Sequence, residues 1–249
     1  MRKQPYTVGS YIHVIKRGSR GLSIVRDNND RWRFLLMLRH FNDSFNSLNW
    51  FRDIVDAKIS NSMIRPDYWP KQNKIVKILG FCLVENHFHL LLQEIVDGGV
   101  AKFMQRLGIG MANHFNQKYN EKGCLFQGAY RSRTVDGDNY LRYVSAYIMV
   151  KNSLELYPKG GLVAAAENFD EAFQWASSYP FCSLGDYVGD RNSLIVDRDI
   201  LGEIFTPSEF KFFSKDFIEG FLQQQKGVNN ENKKLKHFMD GIMPSVIFE

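Results

Sequence analysis

Two histidines separated by one residue are the part of the sequence that most directly indicates chemistry, in the stretch Asn86-His87-Phe88-His89. In a β-strand, residues i and i+2 point to the same face, so His87 and His89 would present two imidazoles while Phe88 points into the opposite layer. Two neutral imidazoles at this spacing can bind one divalent ion and leave positions open for oxygen ligands, as Lewis-acid chemistry on a phosphate requires. The alternative is a pair of surface histidines on a half-exposed strand.

Three tyrosines, Tyr140, Tyr143 and Tyr147, follow one another at spacings of three and four. A tyrosine can act as a covalent nucleophile when a nearby base, metal or cation activates its phenol. The same spacing also describes one packed face of a helix. The pattern alone leaves both interpretations open.

The residues around these motifs predict the elements that would position them. Strand patterns cover 11–16, 74–84, 86–92 and 125–135, and helical patterns cover 27–41, 50–58, 100–119 and 139–152. This order predicts an α+β fold, a ferredoxin-like antiparallel sheet with helices on one face. The character of the chain changes after Gly160-Gly161, so we divide it into a domain of residues 1–160 and a mostly helical C-terminal extension of residues 161–249.

Composition narrows the class of protein. The 249 residues are 44% hydrophobic and 24% charged, as in a folded globular protein. The net charge of +5 mildly favours a polyanionic partner. Three scattered cysteines argue against a disulfide framework or a cysteine zinc site and suit a reducing compartment. Because there is also no signal core and no apolar run of membrane-spanning length, we expect a cytoplasmic protein with no membrane partner.

Several stretches together resemble the motifs of the single-tyrosine HUH transposases. The similarity is greatest to the REP-associated tyrosine transposase group and its IS200-like transposase domain, and it covers about residues 8–180. In chain order the matching stretches are His13 to Gly18 (HVIKRG), Asp30-Arg31 with Phe34-Leu35, Asn86 to Leu92 (NHFHLLL), Leu125 to Ser132 (LFQGAYRS), Tyr140 to Ile148, and Trp175 to Tyr179 (WASSY).

The resemblance implies a reaction and assigns roles. It makes His87 and His89 ligands of Mg²⁺ or Mn²⁺, and it makes Tyr147 the nucleophile, because the family's tyrosine is directly followed by isoleucine, here Ile148. It implies cleavage of single-stranded or hairpin DNA, a 5′-phosphotyrosine intermediate and a free 3′-OH. Exchange of one phosphoester for another needs no ATP, in agreement with the absence of a P-loop motif. Relatives work alone or as two subunits, so a homodimer stays open.

The sequence departs from the family after the tyrosine. The family places an Asn or Gln four residues later as the third metal ligand, whereas here that position is Lys151 and the asparagine, Asn152, is one residue further. On an unbroken α-helix the fourth residue is rotated by about 40° from Tyr147 and the fifth by about 140°. Asn152 can therefore ligate only if the helix ends or bulges before it. Protonated Lys151 cannot ligate, but it can bind the scissile phosphate or lower the pKa of the tyrosine.

Candidate DNA contacts are basic or polar residues near these motifs, and each also has an ordinary interpretation as a solvated or packed side chain. Ala129 replaces an arginine common in the family, which removes one expected contact. For His13 we expect a local hydrogen bond rather than a metal, and His40, His114 and His237 receive no role. The candidates are Arg17, Lys102, Arg106, Gln127, Arg131, Arg133 and Lys151.

Three functions follow from the sequence. The first is a metal-dependent transposase that nicks and joins single-stranded DNA through Tyr147. The second is a catalytically weakened protein that still binds repeat DNA, suggested by Lys151 at the position of the third ligand. The third is a metal-dependent phosphodiesterase that uses water and forms no covalent intermediate.

Overall fold

An antiparallel sheet with the strand order β2-β3-β1-β4 forms the centre of the fold. The computed structural model describes residues 6–57 and 61–227, and the sheet has four strands within this part of the chain. The predicted antiparallel α+β class is confirmed. The strands are β1 (Tyr11–Arg17), β2 (Val76–Leu83), β3 (His87–Glu94) and β4 (Arg131–Thr134).

Helices α1 and α3 cover one face of the sheet. Asp27 caps α1 through a capping box with Asp30, and Phe34 from this helix packs on Phe88 with ring centroids 5.1 Å apart. The same core contains the alternate residues Ile12 and Val14 of β1, as the two-residue period of a strand requires. The helices are α1 (Asn28–Phe41), α2 (Trp50–Asp56), α3 (Gly99–Tyr119), α4 (Asp138–Ala146), α5 (Asn152–Leu154), α6 (Gly161–Glu167), α7 (Phe169–Ser178), α8 (Leu184–Val188), α9 (Asp199–Ile204) and α10 (Pro207–Gly227), with a short 3₁₀ turn at Ser19–Gly21.

The opposite face of the sheet is also covered, which corrects the expectation of helices on one face only. Leu79, Cys82 and Leu91 point into a second core, shared with α4 and with the helices that follow residue 160. Strand β2 is almost continuously apolar, and β3 contains three consecutive buried leucines, Leu90 to Leu92. A strand that is apolar on both faces needs a packing layer on each side. A tyrosine-bearing turn joins α4 to α5 within this second layer.

The chain beyond residue 160 also protects the outer edge of β2. Cys82 forms an isolated antiparallel bridge with Cys182. Around this bridge, Leu83 N–H donates to Phe181 O and Ser183 N–H donates to Phe81 O, both at 2.9 Å. The predicted extension therefore meets the sheet at residues 181–183, while its last described helix, α10, packs on α4, α6 and α8. Residues 228–249 lie outside the described part of the chain.

Strand β4 is shorter than the predicted strand of residues 125–135. Gln127 N–H donates to Arg17 O, and Gly18 bridges to Phe126, so residues 125–127 pair with the end of β1. The chain then leaves the sheet around Gly128, whose carbonyl accepts from Lys16 Nζ at 3.0 Å. Among the described residues, no helix has the length and apolar character needed to cross a membrane.

Candidate active site

The two histidines lie on one face of β3, as their spacing predicts. Phe88, between them, is fully buried in the core on the other face. The register of β3 with β1 places Arg17 opposite His87 and Ile15 opposite His89. Residues directly opposite each other on antiparallel strands share a face. His87, His89 and Arg17 therefore belong to the same side of the sheet.

Four rings meet on this side of the sheet. The ring of Tyr147 lies edge-on to His89 with centroids 5.5 Å apart, and to His13 with centroids 5.9 Å apart. His89 is also 5.0 Å from His87 and 5.1 Å from His13, again between ring centroids. The phenol on the helix and the imidazoles on the strand thus converge at one place.

The imidazoles at this place are held neutral. Burial lowers the pKa of His13 to about 4. Burial, with smaller effects from Arg17 and Lys151, lowers the pKa of His87 to about 4. The pKa of His89 falls well below its usual value, first because of burial and then because of His13 and His87. Only a neutral imidazole has a lone pair for a metal ion, so these rings are ligand-competent at neutral pH.

Asn86 orients the ring of His87. The Asn86 side chain donates through Nδ2 to Gly21 O at 3.2 Å, and its Oδ1 lies 2.7 Å from Nδ1 of His87. An amide oxygen can only accept, so Nδ1 of His87 carries the proton and Nε2 keeps its lone pair. Such a second partner on the remote ring nitrogen is a regular feature of histidine metal ligands.

The helix that carries Tyr147 widens directly after the tyrosine. Residues Tyr147–Lys151 form a π-helical turn, and the N–H of Asn152 donates to the carbonyl of Tyr147. In this i to i+5 pattern the fifth residue, rather than the fourth, completes the turn. The widened turn rotates position 152 back toward the side of the helix that carries Tyr147. This is the bulge that the sequence requires for Asn152 to approach the tyrosine.

The side chain of Asn152 is fully buried and half satisfied. Its Nδ2 donates to Ile148 O at 3.5 Å, whereas Oδ1 has no hydrogen-bond partner among the described residues. An unpaired buried acceptor is energetically costly unless a further group binds it. Within the same residues, no group of three His, Cys, Asp or Glu side chains could hold a metal ion. The neutral imidazoles and this unpaired amide oxygen are donor types that divalent ions accept.

Side chains from outside α4 support the widened turn. The carbonyl of Met149 accepts from the hydroxyl of Ser153 at 2.7 Å and from the thiol of Cys182 at 3.2 Å. The Ser153 hydroxyl also lies 2.9 Å from Val150 O. A π-turn interrupts the regular ladder of backbone bonds, and these groups satisfy its carbonyls. Cys182 belongs to the segment that pairs with β2.

Lys151 is almost buried and already paired. Its Nζ lies 2.6 Å from Oε1 of Glu155 and sits between two rings, 5.1 Å from the centroid of Tyr147 and 5.5 Å from that of Phe221. Burial raises the pKa of the Tyr147 phenol well above its usual value, and Glu155 raises it further while Arg17 opposes them. Tyr147 is therefore a protonated phenol at neutral pH in the isolated protein.

The candidate DNA-binding residues divide into two groups by position. Arg131 lies opposite Ile15 and Arg133 opposite His13, so both share the face of the histidines, and Arg133 also contacts the ring of Tyr140. Gln127 is exposed, and its backbone is bonded to Arg17 at the end of β1.

Lys102 and Arg106 lie on α3, in the opposite layer from the histidines. Lys102 is exposed. Arg106 donates to the carbonyls of Phe41 and Asp43 at the end of α1. Arg106 therefore has a structural role, and the two residues do not form the free basic ridge that their spacing indicates.

An open cavity of about 310 Å³ adjoins His87. Glu85 and Glu155 line it from the strand side and from the end of α5, together with the apolar Leu156. The cavity gives solvent access to His87 beside the end of the tyrosine helix.

Sequence reasoning missed three participants at this site. His13 was expected to make a local hydrogen bond, and its bond is to His89. Its strand position, alternating with the buried Ile12 and Val14, was the available signal. Asn86 and Glu155 could not be recognised from the sequence. Asn86 acts through His87, whose ring it orients, and Glu155 reaches the site only because of the geometry of the widened turn.

Comparison with known protein families gives a match over the region that contains the histidine pair and Tyr147. Residues 57–151 match the family model described as "Transposase IS200 like". This stretch of the chain is therefore similar to the IS200-like transposases. That match includes His87, His89, Tyr147 and Lys151, and it ends one residue before Asn152.

Similarity to solved structures is distant. A solved structure of a REP-associated tyrosine transposase bound to a REP hairpin is 13% identical, with a TM-score of 0.39. The similarity covers 79% of this chain and 93% of that one. No curated protein matches the sequence.

Proposed function

We propose that this protein is a metal-dependent transposase that cleaves and rejoins single-stranded DNA through Tyr147. The observation that carries the proposal is the edge contact of the Tyr147 ring with His89, inside an IS200-like domain. A phenol beside two neutral imidazoles suits attack on a phosphate held at the same place.

The reaction exchanges one phosphoester for another. Tyr147 Oη attacks the phosphorus, the bond from phosphorus to the 3′-oxygen breaks, and a 5′-phosphotyrosine forms. The phenol proton ends on the departing 3′-oxygen, so the products are the covalent adduct and a free 3′-OH. The reverse attack of a 3′-OH on this adduct joins ends and releases Tyr147.

His87, His89 and the Oδ1 atom of Asn152 would hold the divalent ion, Mg²⁺ or Mn²⁺. When bound, the ion supplies positive charge that polarises the scissile phosphate. The unpaired acceptor of Asn152 supports this assignment, because a carbonyl oxygen is a preferred ligand of both ions. Lys151 stays outside the ligand set, since its ammonium has no lone pair and is paired with Glu155.

Residues of the protein set the protonation of the Tyr147 phenol and would position the DNA strand. Burial keeps Tyr147 protonated until a cationic group approaches. Arg17 already lowers the pKa of this tyrosine, and Arg131 and Arg133 lie on the same face of the sheet. These arginines would bind backbone phosphates and so position the DNA strand.

A covalent-trapping assay tests the proposal. The protein, Tyr147→Phe and the matched Tyr143→Phe variant are each incubated with end-labelled hairpin DNA bearing a single-stranded tail and with Mn²⁺. Tyr143 is on the same helix, but its ring packs on Phe217 at 4.9 Å. We expect a denaturation-resistant adduct with wild type and Tyr143→Phe, and none with Tyr147→Phe.

The same assay distinguishes the alternative functions. Cleavage that survives Tyr147→Phe without an adduct would mean hydrolysis by water. Binding without any cleavage would mean a DNA-binding protein that has lost its chemistry. The ion pair of Lys151 with Glu155, where the family has its third ligand, is the observation that favours this second function.

A further inference from the structure

His13 is a third imidazole at the candidate site, and it contacts both functional groups. It is 5% exposed and lies on β1, next to the strand of the histidine pair. Its Nε2 is 2.8 Å from Nδ1 of His89, and its ring is stacked on that of His89 with an interplanar angle of 22°. It also packs against the edge of Tyr147.

A hydrogen bond between these two nitrogens requires that one of them is protonated. Which of them carries the proton determines whether Nε2 of His89 can bind a metal ion. If His13 donates, the Nδ1 atom of His89 is the acceptor, and neutral His89 then carries its own proton on Nε2. That tautomer has no lone pair left for an ion. If His89 donates, its Nε2 lone pair is free.

The geometry at His87 favours the second arrangement by analogy. There the amide oxygen of Asn86 accepts from Nδ1 and leaves Nε2 as the ligand atom. His89 uses the same atom, Nδ1, toward His13. Both histidines thus direct Nδ1 at a partner within the protein, so that Nε2 is the remaining nitrogen of each ring.

We propose that His13 is a positioning residue whose Nε2 accepts the Nδ1–H of His89, so that the Nε2 lone pair of His89 is presented to the divalent ion. This inference rests on the metal-dependent function proposed above. A neutral acceptor performs this role without adding a buried negative charge beside the scissile phosphate. Because His13 also packs on Tyr147, it fixes the spacing between the ligand and the phenol.

Metal affinity tests the role without any need for activity. Mn²⁺ dissociation constants are measured by electron paramagnetic resonance for wild type, His13→Leu and His13→Gln. Leucine removes the acceptor, and we expect affinity to fall about 10- to 100-fold, as for other orienting partners of metal-bound histidines. Glutamine places an acceptor oxygen at a similar reach, so we expect it to restore most of the affinity.

A matched control separates positioning from general destabilisation. His40 is another buried histidine, bonded to the carbonyl of Ser62 at 2.8 Å on the far side of the fold. His40→Leu should lower stability and leave Mn²⁺ affinity unchanged. Equal affinity for wild type and a folded His13→Leu protein would overturn the proposal, as would a loss that glutamine leaves unchanged.

The tautomer of His89 can be observed in the wild-type protein alone. Long-range ¹H–¹⁵N correlation spectra of the imidazoles should show protonated Nδ1 and unprotonated Nε2 for His89. A spectrum with protonated Nε2 would refute the proposal directly. If His87→Ala and His89→Ala also leave Mn²⁺ affinity unchanged, the metal function itself fails; if they abolish binding while His13 variants do not change it, only this inference fails.

Discussion

Replacement of Asn152 by leucine should stabilise the metal-free protein and at the same time abolish its metal binding. Asn152 is fully buried, its Oδ1 has no partner among the described residues, and its Nδ2 makes only one long bond, to Ile148 O. A buried unpaired acceptor costs about 1–3 kcal/mol, and a bond at the outer distance limit returns little of this. Leucine has a similar shape without polar atoms.

The expected magnitude follows from these opposing contributions. Relief of the unpaired oxygen favours the variant, and imperfect packing of the leucine methyl groups costs about 1 kcal/mol. The free energy of unfolding in EDTA should therefore rise by about 1 kcal/mol. In wild type, Mn²⁺ at one hundred times its Kd should add about 2.7 kcal/mol. In Asn152→Leu this addition should be absent.

Asn42 provides the matched control for urea unfolding with and without Mn²⁺. It is also buried, but its Oδ1 accepts from the N–H groups of Ile75 and Val76, and its Nδ2 donates to Val76 O. Asn42→Leu leaves all three backbone partners unpaired and should cost about 3 kcal/mol or more. A comparable loss in Asn152→Leu, or an undiminished response to Mn²⁺, would refute the reasoning.

Two further predictions concern charged side chains that stabilise the fold. Burial alone would raise the pKa of Asp30, but hydrogen bonds, first of all that from Lys118, hold this pKa well below its usual value. Asp30→Asn should therefore lower the free energy of unfolding by about 3 kcal/mol at pH 7. A carboxylate whose pKa is lower in the folded than in the unfolded state stabilises the fold at pH values above its unfolded pKa. The difference in the free energy of unfolding between wild type and Asp30→Asn should therefore shrink as the pH falls below about 4, and a difference that stays constant would contradict the prediction. Arg106→Ala should lower the free energy of unfolding by about 2 kcal/mol, because its hydrogen bonds to the carbonyls at the end of α1 are lost, whereas Lys102→Ala should leave it unchanged. Neither variant should change how steeply DNA affinity falls with salt concentration, and a weaker salt dependence in either would place DNA on α3.

Much of the fold follows from local pattern. The two-residue period of β1 and β3 placed Phe88 in the core and the two histidines on the other face, and the polar start at Asp27 to Asp30 marked the beginning of α1. These elements were predictable because hydrophobic period and capping act within a few residues. The second helical layer was less visible, since a strand that is apolar on both faces does not say what covers it.

The site was predictable only in part, for a similar reason. His87, His89 and Tyr147 stand out by residue type and spacing, and the structure brings their rings together. The π-turn did not follow from the sequence, because it depends on support from Ser153 and Cys182, and Cys182 is more than thirty residues away. Helical spacing alone placed Arg106 in a solvent ridge, since it carries no information about the carbonyls of a neighbouring helix.

The backbone bridge between Cys82 and Cys182 determines where the chain can be truncated. The stretch that matches the IS200-like family lacks β1, which lies between β3 and β4, and it lacks the segment that closes the rim of β2. A chain that ends at residue 160 would expose unpaired backbone N–H and C=O groups at the edge of β2, next to an apolar surface. Such an edge is prone to self-association. The segment after residue 160 thus supports the turn that carries Tyr147, and a change that loosens Cys182 would reach this turn through the carbonyl of Met149, which accepts from the Cys182 thiol.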